Sequence, residues 1–221
     1  MTSSSPLISN GDALCGTPLE NEWNDSLLKR LFDLLLALLL LLLFGPLMLA
    51  VALSVKLSSK GPVLFRQKRV GKDGHEFQLL KFRSMRQGCA GPKVTRTGDP
   101  RITAVGQIIR KWKLDELPQL FNVVRGDMSF VGPRPDVAEY LRHLNQAQRQ
   151  ILQLRPGITS SATLSYRKEE QLLSQVNGNL ETFYCTELLP EKVRMDLDYA
   201  RNAGFRSDLS IVLRTLAAIL S

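Results

Sequence analysis

Residues Leu34 to Val55, LLLALLLLLLFGPLMLAVALSV, run for about 22 positions without a charge. As one helix the run extends ~33 Å, against a bilayer hydrocarbon core of ~30 Å. A secretory signal has a shorter apolar region, about 7 to 15 residues, and lies nearer the N-terminus, so the run is expected to be a membrane element. Gly45 and Pro46 interrupt it near the middle. Proline removes a backbone donor and clashes with the carbonyl four residues earlier, which predicts a kink at this point. Lys29 and Arg30 precede the run, and Lys56, Lys60, Arg66, Lys68 and Arg69 follow it. Basic flanks favour the cytoplasmic side, so both ends prefer the same side. The predicted element is therefore a re-entrant helix that enters and leaves one leaflet. A kinked span is the alternative, since proline is tolerated in spanning helices.

On either side of this element the chain changes character. Met1 to Asn24 is rich in Ser, Asn, Gly and Pro and reads as a disordered tail. The expected organisation is a tail over 1–25, the membrane helix over 26–58 and one cytoplasmic catalytic domain with interfacial helices over 59–221. In that domain, PVLFRQKRV and HEFQLLKFRSM flank GKDG and predict a β-hairpin. Thr103 is placed to cap a helix through TAVGQIIRKW. A second helix is expected to start at Asp115 as N-cap, with Pro118 in its first turn, and to end near Arg125-Gly126. DVAEYLRHLNQAQRQILQL predicts a further helix, stopped by Pro156-Gly157, and two more run from about Pro190 and about Ser207. The last of these packs into the core or lies on the bilayer. The fold class is thus α+β and mostly helical: a monotopic membrane protein with one Pro-broken re-entrant helix and a small domain containing a β-hairpin.

Charge narrows the partners. With 29 Lys and Arg against 21 Asp and Glu, the net charge is +8. That implies an anionic partner, which nucleic acid, an acidic membrane surface or a phosphorylated substrate would satisfy. Cys15, Cys89 and Cys185 are far apart and lack C-x-x-C spacing, so neither a zinc site nor a disulfide framework is indicated. They read as free thiols in a reducing compartment. His75 and His143 are isolated and have no metal-like spacing.

The chemistry concentrates in RKWKLDELPQLFNVVRGDMSFVGPRP, Arg110 to Pro135. Asp115 and Glu116 are adjacent, and each raises the cost of ionising the other. If Asp115 begins a helix, unpaired N–H groups and the dipole favour its ionised form. One acid can then attack an electrophile while the other holds a hard cation such as Mg²⁺. Lys81, Arg110, Lys113, Arg134 and Arg167 are candidates to neutralise a diphosphate, which points to phosphoryl transfer. Plainer readings compete. An Asp-Glu pair is a common helix-start pattern, Pro133-Arg134-Pro135 makes a rigid surface turn, and basic residues beside a membrane segment touch lipid headgroups. Asp127, after Gly126, reads as a turn or cap residue.

Taken together, KRLFDLLLALLL running into Gly45-Pro46, KFRSM, GDPRITAVGQIIRKWKLDELPQLFNVVRGDMSFVGPRP and RPGIT resemble the bacterial sugar transferase family, the monotopic phosphoglycosyl transferases. The resemblance runs from about Leu28 to the C-terminus. It implies an enzyme that moves a sugar phosphate from a UDP-sugar to polyprenol (undecaprenyl) phosphate and releases UMP, the first membrane step of surface-glycan assembly. By motif, Asp115 would be the nucleophile, forming a phosphosugar aspartate, and Glu116 the Mg²⁺ ligand. Arg110 resembles the residue that receives the polyprenol phosphate, and Lys81 and the Pro133-Arg134-Pro135 turn fall where the family has substrate-binding positions. Arg167 follows RPGIT where the family places a nucleotide-binding arginine. Gly45-Pro46 stands where the family usually breaks its helix at Ser-Pro.

The implied location is the cytoplasmic leaflet of a bacterial inner membrane, with both termini cytoplasmic. Implied partners are the UDP-sugar, polyprenol phosphate, membrane lipids and downstream glycosyltransferases of the same pathway, with a homodimer left open and no nucleic acid. After PGIT, many members have a glycine, an aromatic and a Gly-Arg-Asn run, whereas this chain reads ITSSATLSYRKEEQLL. With one membrane element and no N-terminal bundle, the chain resembles the minimal form of the family. Two other classes compete: a non-catalytic, membrane-tethered protein binding lipid or polyanion, and a pyrophosphatase acting on a lipid-linked or nucleotide diphosphate.

Overall fold

The computed structural model describes residues 19, 21–88, 91 and 94–220. Cys15, Cys89 and most of the expected tail lie outside them. Residues 21–25, which the tail was expected to include, form a 3-10 turn: Asn21 caps it, and the Trp23 ring meets Phe205 edge-on with centroids 6.1 Å apart.

The apolar run forms helix α1, Leu27–Ser58. Ser26 caps it, accepting a hydrogen bond from Lys29 N at 3.0 Å. Helical conformation continues through Gly45 and Pro46, and Pro46 is exposed. α1 is long and apolar enough to cross a membrane. Leu35, Leu38, Leu39, Leu42, Leu43, Leu49, Leu53 and Leu57 are exposed along it.

Two patches of α1 are buried against the rest of the chain. In the first, Arg30 donates to Val123 O at 2.6 Å and Val124 O at 2.9 Å, and Lys29 donates to Val131 O at 3.1 Å. Asp33 accepts from Phe130 N at 3.0 Å, and Ala37 packs with Leu120, Val123, Met128 and Ile211. In the second, Met48, Val51 and Val55 pack against Phe82 and Ile109. There the Arg83 guanidinium donates to Val55 O at 3.1 Å, Ser59 O at 2.7 Å and Pro62 O at 2.6 Å. These bonds satisfy carbonyls that the end of a helix leaves unpaired.

After α1 the hairpin forms as expected. Strand β1, Leu64–Val70, pairs antiparallel with β2, Glu76–Phe82, placing Phe65 opposite Lys81. Thr103 caps α2, Ala104–Lys111, accepting from Gly106 N at 2.9 Å.

The acidic pair does not start a helix in the expected way. Lys113 takes a left-handed conformation, φ 54°, and residues Leu114–Glu116 form a 3-10 turn before α3, Gln119–Arg125. Asp115 is therefore inside a tight turn and is not the N-cap. α3 ends as predicted at Gly126, with φ 93°.

Next comes β3, Ser129–Val131. The long helix expected after it is broken into α4, Ala138–Leu141, and a 3-10 stretch, Gln148–Gln153. The reason is local: Asn145 Oδ1 accepts from Gln148 N at 2.9 Å while Gln148 Oε1 accepts from Asn145 N at 3.0 Å. This reciprocal cap starts a new helical turn where the apolar spacing alone suggested continuity.

Strand β4, Gly157–Thr159, lies parallel to β3, with Ser129 opposite Gly157. Their approach requires glycine on both segments. A Cβ on Gly157 would lie 2.2 Å from Gly132 N, and one on Gly132 would lie 2.3 Å from Arg155 O. Four short helices follow as α5, Ser161–Ser165; α6, Glu169–Ser174; α7, Leu180–Phe183; and α8, Leu189–Arg201, the last two joined by a π-helical turn over Tyr184–Leu188. The chain closes with α9, Phe205–Leu220. The result is a mostly helical α+β protein with one long apolar helix.

Asn122 sets the position of α3. Fully buried, it accepts from Leu80 N at 3.0 Å and donates to Gln78 O at 2.8 Å, pairing the open edge of β2. Replacing Asn122 with Ala leaves both backbone groups buried without a partner. The expected cost is about 2 to 3 kcal/mol, read as a lowered unfolding midpoint of the detergent-held protein.

Candidate functional site

With α3 fixed on β2, the turn preceding it comes to rest against Lys81. Lys81 Nζ donates to Glu116 Oε1 at 2.6 Å, and Arg134 Nη2 donates to the same oxygen at 3.1 Å. Arg134 arrives from the turn after β3. That turn is held on both sides: Gly157 N donates to Pro133 O at 2.9 Å, and Arg69 Nη1 donates to Pro135 O at 3.1 Å. Three segments far apart in sequence thus meet on one carboxylate, whose side chain is 13% exposed.

Electrostatics separates the two acids. Burial alone would raise the Glu116 pKa, but Lys81, Arg134 and Lys113 outweigh it and hold the group well below the usual carboxylate range. Asp115 moves the other way. Burial raises its pKa, the neighbouring charge of Glu116 adds to this, and Lys81, Arg110 and Lys113 only partly offset it. Its Oδ1 is buried without a hydrogen-bond partner. The expected stabilisation of ionised Asp115 by helix N–H groups is therefore absent: the 3-10 turn does not aim free amides at it. What results is a desolvated carboxylate with an unoccupied oxygen, beside a second carboxylate that is firmly ionised. The cations answer in kind. Burial lowers the Lys81 pKa against the pull of Glu116, and Glu116 raises that of Arg134.

Of the other predicted residues, Arg110 on α2 is close enough to act on the Asp115 charge, but its guanidinium is paired with Glu170 of α6. Arg167 stands exposed between α5 and α6, with no recorded bond to the acidic pair. Asp127 accepts from Asn122 Nδ2 at 3.1 Å, a supporting role in keeping with the turn reading. Gly45 and Pro46 lie within α1, and none of their contacts reaches the acidic pair. Cys185 is buried and free. Among the described residues there is no group of three or more His, Cys, Asp or Glu placed to hold a metal.

Sequence reasoning missed a buried polar network behind the Arg134 turn. Tyr184 OH donates to Asp136 at 3.1 Å, Asp136 lies 3.4 Å from Arg69, and Lys192 Nζ donates to Glu169 at 3.0 Å. Asp136 follows GPRP directly and was within reach of inspection. The Lys192–Glu169 and Arg110–Glu170 pairs join residues on separate elements, and no local spacing announces them.

One helix long and apolar enough to cross a membrane, joined to a buried acid pair on which cations converge, points to a membrane-associated protein. Comparison with known proteins then gives the family: the chain matches bacterial sugar transferases over residues 24–221, and it belongs to that family. It is 42% identical over 198 residues to a UDP-glucose:undecaprenyl-phosphate glucose-1-phosphate transferase of Caulobacter vibrioides, covering 87% of this chain and 70% of that one. Identity is 40% over 212 residues to the Escherichia coli K12 protein of the same description, covering 92% of this chain and 42% of the relative. The exopolysaccharide production protein ExoY of Rhizobium meliloti is 38% identical over 210 residues, covering 86% and 84%. The chain thus spans under half the length of the Escherichia coli relative and most of ExoY.

Because folding raises the Asp115 pKa, the native state binds its proton more tightly than the unfolded chain. Asp115 therefore lowers stability as pH rises from the usual Asp value near about 4 through its raised value. Asp115→Asn is expected to melt at a higher temperature than wild type at pH 8, with the gap closing toward pH 4, measured by thermal shift across that range.

Proposed function

We propose that this chain is a phosphoglycosyl transferase that moves a sugar 1-phosphate from a UDP-sugar to polyprenol phosphate, with Asp115 as nucleophile. The observation that carries this is the unpartnered, desolvated Oδ1 of Asp115 beside a carboxylate clamped by Lys81 and Arg134. The printed activities of the Caulobacter and Escherichia coli relatives support the substrate classes.

In the first step an Asp115 oxygen attacks the sugar-bearing phosphorus. A phosphorus–oxygen bond forms as the bond to UMP breaks, and UMP leaves with the electron pair. Lys81 and Arg134 lie where they can take up charge on the diphosphate oxygens. In the second step an oxygen of the polyprenol phosphate attacks the same phosphorus, and Asp115 is released as carboxylate. Desolvation leaves Asp115 without hydrogen bonds that attack would have to break.

The donor set also suits Mg²⁺, a hard cation that takes one or two carboxylates and completes its shell with water and phosphate oxygens. Glu116 engages both cations through Oε1, and Asp115 Oδ1 is orphaned. Glu116 would hold the ion, leaving Asp115 free to attack, and the chemistry the ion supplies is neutralisation of diphosphate charge.

For α1 we favour a re-entrant helix in the cytoplasmic leaflet of a bacterial inner membrane, with both termini cytoplasmic. Supporting this, the Lys29–Ala37 end and the Met48–Val55 end both pack on the same globular body, and both flanks are basic. A helix with its far end across the bilayer would hold only one of them there.

Two outcomes test the reading. Incubated in nanodiscs with a panel of UDP-sugars, polyprenol phosphate and Mg²⁺, wild type is expected to release UMP with at least one donor. Asp115→Asn is expected to lose at least about a thousandfold and to retain no labelled phosphosugar on the chain, whereas near wild-type release would remove Asp115 as nucleophile. With Cys89 and Cys185 replaced, Cys15 should react with an impermeant maleimide only after cells are opened. Labelling from outside intact cells would exclude the re-entrant arrangement.

A further inference from the structure

Arg110 forms its ion pair with an acid outside the Asp115–Glu116 pair. Its Nη2 meets Oε1 of Glu170, and Ser84 Oγ lies 3.5 Å from Nη1. The Glu170 side chain is 41% exposed, but its backbone is fixed. Its carbonyl accepts from Thr97 N at 3.2 Å, tying α6 to the loop before α2. Its neighbour Glu169 is held at 3.0 Å by Lys192, which is itself 4% exposed. A braced strap thus delivers one carboxylate to Arg110.

The setting makes this contact consequential. α2 exposes Ile108 by 61%, the turn exposes Trp112 by 44%, and α3 exposes Phe121 by 43%. On the re-entrant reading of α1, these apolar side chains would set Arg110 near the depth of lipid headgroups. Phosphodiester headgroups there greatly outnumber any phosphate monoester acceptor. A bare arginine at that depth would be occupied by whichever anion is most abundant.

We propose that Glu170 makes the site selective for a phosphate monoester over anionic phosphodiester headgroups around it, by competing for Arg110. This rests on the reading of Arg110 as the acceptor-phosphate residue. A phosphodiester carries one negative charge, like the Glu170 carboxylate, so exchanging one for the other gains little Coulomb energy. A phosphate monoester carries about −1.5 to −2 at pH 7 and three acceptor oxygens, so it displaces the carboxylate with a net gain. The braced strap keeps Glu170 at hand to close the arginine again when the monoester leaves. Glu170 is thus a selectivity residue acting through Arg110, and it touches no reacting atom.

The test uses the full chain in nanodiscs of neutral phosphatidylcholine and in discs half phosphatidylglycerol. KM for polyprenol phosphate and kcat are measured for wild type, Glu170→Gln, Glu170→Asp and the exposed charge control Glu187→Gln. In neutral discs Glu170→Gln is expected to lower the acceptor KM about fivefold, the scale of one partly exposed ion pair, with a smaller change in kcat. In phosphatidylglycerol discs its acceptor KM should rise by at least that factor, while wild type and Glu187→Gln shift less than about twofold. Glu170→Asp, which keeps the charge, should retain wild-type lipid tolerance. An acceptor KM for Glu170→Gln that is unchanged or raised in neutral discs overturns the proposal, as does equal lipid sensitivity in all four proteins. Absence of UMP release by wild type from every UDP-sugar would instead remove the underlying functional reading.

Discussion

The double ion pair on Glu116 is the interaction on which the site depends. It brings together β2 through Lys81, the turn before α3 and the turn after β3 through Arg134. Removing a carboxylate from water costs several kcal/mol, and a buried pair recovers that only with good geometry and further hydrogen bonds. Such a cluster contributes little net stability. Its consequence is positional: losing either cation would leave Glu116 buried and under-compensated, so the three segments are held in one arrangement. Asp115 inherits its environment from that arrangement. With the local positive charge directed at Glu116, burial dominates at Asp115, and the two adjacent acids acquire opposite pKa shifts.

The scaffold behind the pair solves a related problem. α1 is apolar around most of its circumference, yet Lys29, Arg30 and Asp33 point into the protein and bond backbone groups of α3 and β3. Lys29 also pairs with Asp208 of α9, which accepts further bonds from Trp23 Nε1 at 3.0 Å and Tyr199 OH at 2.8 Å. At the other end Arg83, next after β2 on the strand side of Lys81, closes the carbonyls of the α1 terminus. Lys81 and Arg83 are two residues apart in KFRSM, and they face different tasks: one the acid pair, the other the membrane helix. That short motif ties the orientation of the apolar helix to the position of the cation that pairs with Glu116.

Much of this was legible in the sequence because it depended on local rules. The hairpin around GKDG, the Thr103 cap, the Gly126 stop and the α8 and α9 segments follow from spacing and turn chemistry, and they formed where expected. Failures occurred where two local signals competed. At Asp115 a helix-start pattern lost to the left-handed residue Lys113, which turned the chain early and put the acid inside a 3-10 turn. Between Ala138 and Gln153 helical periodicity lost to the reciprocal Asn145 and Gln148 cap. Arg167 was placed by motif distance alone, and the chain departs from the family run just there. Arg167 is exposed in the structure, and Glu170 reaches Arg110 through an ion pair that no local spacing announces.

The sequence by itself determined that a membrane-associated helix exists, that two acids stand among cations, and which family the chain belongs to. These properties reside in uninterrupted hydrophobicity, in charge and in long contiguous motifs. Only the tertiary structure decided which acid is ionised and which is desolvated, which cation faces which acid, and that Arg110 is occupied by a carboxylate from α6. Those outcomes depend on direct contacts between residues 18 to 60 positions apart, because burial and Coulomb interactions at close range, rather than order along the chain, set the charge state of each group.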